Sequence, residues 1–177
     1  MADIEQLIQR LGDPTTQREA ISALRERGET AVEPLINALD SPNEVLRQQA
    51  ANALGAIGDS RAVPHLIERM NATTDSMRSA AIISLGNFKG ENAAITALQQ
   101  LVQNTSADFS DRVSALFSFE RVAGKEAATD LRLKLLRDPD RQFRFNIISQ
   151  LGNSKQPHVV EALIAEASQM TESETRC

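Results

Sequence analysis

The chain has no tryptophan, no tyrosine and one cysteine, and aromatics make up 3% of its 177 residues. A lone cysteine, Cys177, cannot close an internal disulfide, so nothing points to an oxidising compartment. The two histidines, His65 and His158, stand far apart without a neighbouring Cys or His, whereas zinc needs several converging nitrogen or sulfur ligands. No metal site is expected. No apolar run approaches the ~20 residues of a membrane span. The opening Met1-Ala2-Asp3-Ile4-Glu5 lacks the basic and apolar regions of a secretion signal. The chain therefore reads as soluble and cytoplasmic. Nucleophile-elbow, P-loop and dinucleotide-binding glycine patterns are all missing, and Gly86 to Gly90 reads as a turn. The carboxylates are scattered singly, so no pair suited to general acid and base work can be identified. A net charge of −5, with no Trp or Tyr to stack on bases, argues against nucleic acid and acidic membranes as partners.

What the chain does have is a repeat. Leu24, Leu54, Leu85, Phe119 and Leu151 recur at intervals of 30 to 34 residues as the last large apolar residue of a helix. Seven positions before four of these anchors stands an arginine: Arg47, Arg78, Arg112 and Arg144. The first copy has Gln17 there, beside Arg18. Three positions further on are Ala20, Ala50, Ala81, Ala115 and Ile147. Such columns describe a first helix, a short turn and a second helix, stacked so that each unit buries its apolar stripe against the next. Small residues let helices approach closely. The glycines after the anchors, Gly55, Gly86 and Gly152, are read as left-handed helix stops. Asp13-Pro14, Ser41-Pro42 and Asp138-Pro139 are read as helix starts, with the polar residue as N-cap. Residues 2–11 carry Ile4, Leu7, Ile8 and Leu11 on one helical face and read as an N-terminal half-repeat. The expected fold is an all-α solenoid of about five helical hairpins plus that half-repeat, eleven helices in all. It forms a single domain over residues 1–170 with a polar tail at 171–177.

The clearest copy runs through Val45-Leu46-Arg47, Ala50-Ala51, Leu54-Gly55-Ala56-Ile57-Gly58-Asp59 and Arg61-Ala62-Val63-Pro64. This pattern resembles the HEAT-like repeats of the phycobilisome-lyase family, the E/F-type phycobilin lyases. The likeness is close in 42–70, looser in 73–105 and 139–167, and degraded in 107–137. It implies a protein that binds an open-chain tetrapyrrole, a phycobiliprotein, or both, alone or with a second HEAT-like subunit. The phycobilin would be a substrate, not a tightly bound cofactor. The resemblance carries over no catalytic residue. The other reading is a non-enzymatic scaffold that grips a protein partner on its concave face.

The arginine column reads as a structural ladder that pairs with carboxylates or carbonyls of neighbouring turns, Asp59 among them. Copy four is different. Residues 121–144 hold seven basic residues against four acids, with Phe109, Phe117, Phe119, Phe143 and Phe145 nearby. Arginine forks bind carboxylates and aromatic faces take flat ligands. Arg121, Arg132 and Arg137, with Phe117 and Phe119, are the candidate ligand-binding residues. The plainer reading has the phenylalanines filling a core and the cations solvated. Glu33, Glu68 and Glu161, on second helices expected to line the concave side, are the candidate partner-binding residues.

Overall fold

A computed structural model describes residues 3–72 and 76–174. Among these there is no strand, and eleven α-helices follow one another. They are α1 (Ile4–Arg10), α2 (Gln17–Arg27), α3 (Val32–Ala38), α4 (Glu44–Ile57), α5 (Val63–Ala72), α6 (Ser76–Leu85), α7 (Asn92–Gln103), α8 (Phe109–Ala123), α9 (Lys125–Lys134), α10 (Arg141–Leu151) and α11 (Pro157–Glu174). The first helices of the repeat are α2, α4, α6, α8 and α10. All five anchors are buried, and so are Ala20, Ala50, Ala81, Ala115 and Ile147. Residues 171–174, expected in the polar tail, continue α11, and Cys177 lies outside the described residues.

The helices α1, α3, α5 and α7 each pack closely on the next first helix, α2, α4, α6 and α8, and first helices pack on one another, α4 on α6 above all. Up to α7 a second helix thus packs more closely on the next first helix than on its own, whereas α9 packs more closely on its own α8 than on α10. The N-terminal half-repeat is therefore the first arm of a complete hairpin.

Two local expectations need correcting. The X-Pro pairs precede the helices without capping them. The cap of α4 is Asn43, whose side chain accepts from the Leu46 N–H at 3.2 Å. Asp140 caps α10 by accepting from the N–H groups of Gln142 and Phe143. Asp13 folds a local turn instead, accepting from the Thr15 N–H and hydroxyl. Of the glycines after the anchors, Gly55 lies inside α4 while Gly86 and Gly152 directly follow α6 and α10, and none of the three is left-handed. Positive φ belongs to Gly28, Gly58, Gly90 and Gly124, and Gly58 at φ 76° is the left-handed stop of α4.

Gly55 and Gly86 serve close approach. A Cβ on Gly55 would lie 2.9 Å from the Ser84 Cβ, and one on Gly86 would lie 3.0 Å from the Ser118 backbone. Each contact joins the residue after one anchor to the residue before the next. First helices consequently crowd together, while second helices stay apart and leave clefts such as one of about 320 Å³ between α5 and α7. Glu33, Glu68 and Glu161 sit on the second helices α3, α5 and α11.

Candidate functional site

The arginine column is structural. Arg47 donates to the carbonyls of Ser41 and Pro42 at 2.8 and 3.2 Å. Arg144 donates in the same way to the carbonyls of Asp138 and Pro139. Each arginine thus clamps the X-Pro turn that leads into its own helix, whose carbonyls would otherwise lack partners. Arg78 pairs with Asp111 of the next first helix at 2.9 Å. Arg112 is 1% exposed; it donates to the Val102 carbonyl at 2.9 Å, forms a two-pronged ion pair with Asp138, and stacks 3.8 Å over the Phe143 ring. Asp59 is not an acceptor of this ladder. It binds Arg61 through both oxygens, at 3.0 and 2.7 Å, and Arg61 reaches back to the Glu29 carbonyl of the preceding repeat. The hydrogen bonds from the Arg61 side chain and N–H hold the Asp59 carboxyl below its ordinary value.

The five residues expected to bind a ligand do not come together. Phe119 is a buried anchor. Arg132 is 7% exposed and committed to Glu120 at 2.6 Å and Gln150 at 2.8 Å. Its place follows from the repeat columns. Where the earlier copies have Gly55 against Ser84 and Gly86 against Ser118, this copy has Glu120 and Gln150. Two long polar side chains cannot nest as Gly and Ser do, so α8 and α10 stand further apart and the Arg132 guanidinium bridges them. Arg137 is exposed at the other side of the stack and pairs with Glu166 at 2.9 Å.

Phe117 and Arg121 do meet, one helical turn apart on the exposed face of α8. With Glu120, Gly124 and Lys125 they line an open cleft of about 400 Å³. Gly124, at φ 95°, breaks the chain between α8 and α9 and brings Lys125 beside Arg121. Phe117 is 53% exposed. Arg121 donates to the Asn87 Oδ1 across the α6–α8 contact, which fixes the guanidinium over the cleft. Glu120 turns its carboxylate to Arg132, so the cleft keeps an excess of positive charge. An aromatic face beside two cations can hold a flat anion, and the cleft volume is in the range of ligand sites. Lys125 belongs to the site as much as Arg121 does. The signal for it was the Gly124-Lys125 break four residues after Arg121.

Glu33 lies 3.9 Å from Arg61 and Glu68 lies 3.2 Å from Arg69, so two of the three expected partner-binding acids are already offset by cations. Glu161 is exposed on α11. Among the described residues no three His, Cys, Asp or Glu side chains gather as metal ligands, and no helix is long and apolar enough to cross a membrane.

Residues 4–86 match the family of HEAT repeats, a span that closes the three hairpins from α1 to α6. The chain is a HEAT-like α-solenoid. It superposes on a chain from the complex of CpcE and CpcF of phycocyanin lyase from Nostoc, with a TM-score of 0.58 and 25% identity over 93% of this chain and 97% of that one. A designed armadillo repeat protein in complex with a (KR)4 peptide shares the fold, with a TM-score of 0.50 and 15% identity over 94% and 99%. No curated protein matches the sequence. The HEAT-like solenoid is thus similar over 93% of its length to a chain of that phycocyanin lyase complex.

Proposed function

We infer that this HEAT-like solenoid is a relative of the phycobilin lyase subunits and binds an open-chain tetrapyrrole at the cleft of Phe117, Arg121 and Lys125. The observation that carries this reading is the pairing of an exposed phenylalanine with two cations in the copy that departs from the repeat. An open-chain tetrapyrrole is flat, largely apolar and carries two propionates. Its pyrrole rings suit Phe117, and its carboxylates suit Arg121 and Lys125. The similarity to a chain of a phycocyanin lyase complex supports the same ligand class and a protein partner. The cleft offers no acid–base pair, so the chain's part is to bind and orient the pigment. Titration of the protein with phycocyanobilin tests this. A saturable change in the visible absorption spectrum is expected, weakened about tenfold or more in Arg121→Ala/Lys125→Ala at unchanged helical circular dichroism. A spectrum that does not change, or a double variant that binds like the parent, overturns the reading.

A further inference from the structure

The exposed large apolar residues of the first helices share one face. They are Val45 on α4, Ile83 on α6, Phe117 on α8 and Phe145 on α10, at 40%, 50%, 53% and 74% exposure. Counted back from the anchors, they stand nine, two, two and six positions away. At 100° per residue these positions fall within about 60° of one another, opposite the buried anchor. With the positions five before the anchors they make four columns. None of these columns carries a charged residue on α4, α6, α8 or α10, in a chain that is 24% charged. Ala80, Val113 and otherwise only serine, asparagine and glutamine fill the rest. An apolar centre, amide surroundings and depletion of charge are the composition of an interface core. Where this face meets the α8–α9 break it is bordered by Arg121 and Lys125, neither of which forms an ion pair among the described residues.

We propose that this face docks an amphipathic helix of a partner protein, one with an apolar stripe and an acidic edge. Ile83, Phe117 and Phe145 are the apolar anchors, and Arg121 and Lys125 receive the acidic edge. The spacing fits such an occupant. Packed helices lie about 8–10 Å apart, so Ile83 and Phe117, at the same register of α6 and α8, stand about one such step apart, and Phe145 continues the row on α10 across a wider gap. Residues seven apart on a helix are about 10.5 Å apart on one face. A helix laid across the row presents one apolar side chain to each first helix. The charge excess beside Phe117 selects carboxylates over lysines on its flank, a selection that the chain's overall charge of −5 would not make. The row extends well beyond the tetrapyrrole cleft, since Ile83 and Phe145 do not line it. The two readings share Phe117, Arg121 and Lys125, and substitution of Ile83 and Phe145 separates them.

The test uses a fluorescein-labelled synthetic helix of three heptads, with Leu at every seventh position and Glu on its flank, read by fluorescence anisotropy. A second version has Lys in place of Glu. The Glu peptide is expected to bind saturably and at least about tenfold more tightly than the Lys peptide. Ile83→Ser/Phe145→Ser, both at exposed positions, should weaken the Glu peptide by a similar factor while phycocyanobilin titration and helical content stay as in the parent. Equal binding of the two peptides, no binding, or a variant that binds like the parent overturns the proposal. So does sedimentation of the protein alone as a dimer that the double variant dissolves, because the occupant is then a second copy.

Discussion

At the scale of single residues, the best-defined feature is the buried pair of Arg112 and Asp138. Both side chains are nearly inaccessible, at 1% and 2%, and every prong of the guanidinium is occupied. Removing one partner of such a pair strands the other charge, which costs about 3–5 kcal/mol. Asp138→Ala is expected to lower unfolding stability by that order in a urea titration, and a change under about 1 kcal/mol would show the pair to be a passive contact. Asp59 makes a smaller, exposed contribution with a definite pH signature. Its carboxyl lies below the ordinary 3.8 in the folded chain because Arg61 hydrogen-bonds the ionised form. Its stabilisation is therefore complete above that ordinary value and is lost as the pH falls through the lower, folded one. In urea titrations the parent should be more stable than Asp59→Asn near neutrality, and the gap should close as the pH drops below about 4. A gap that is constant with pH would contradict the assignment.

At the scale of the helix, small residues set the spacing. Ala50 is fully buried where α4 meets its neighbours, and Ala50→Leu should cost about 1–3 kcal/mol through overpacking. Gly55→Ala should also lower the melting temperature, because the new Cβ meets Ser84 at 2.9 Å. An unchanged melting temperature in both would mean that the first helices can separate freely. Much of this level was legible in the sequence. The anchor and alanine columns mark buried positions because burial of an amphipathic stripe is what the repeat is for. The roles of Gly55 and Gly86 were not legible, since a glycine chosen for left-handed backbone and one chosen for helix contact look alike in one dimension. The caps were displaced because the X-Pro carbonyls serve Arg47 and Arg144, which a reading of one helix start at a time does not reveal.

At the scale of the molecule, direct packing of α4 on α6 and of α6 on α8 makes the first helices the crowded layer of the stack. The same stack divides the basic residues of copy four by function. Their number was plain in the sequence, but their division depends on the Glu120–Gln150 spacing that draws Arg132 inward and on the break at Gly124 that adds Lys125. The ladder arginines hold the stack, and in the function we propose Arg121 and Lys125 hold the ligand. One paired measurement tests this division most directly: thermal melting and phycocyanobilin affinity, determined side by side for Arg47→Ala/Arg144→Ala and for Arg121→Ala/Lys125→Ala. The ladder variant is expected to melt earlier yet bind pigment like the parent while folded. The cleft variant should melt like the parent and bind about tenfold or more weakly. Pigment affinity that falls with the ladder variant and survives in the cleft variant would contradict that division.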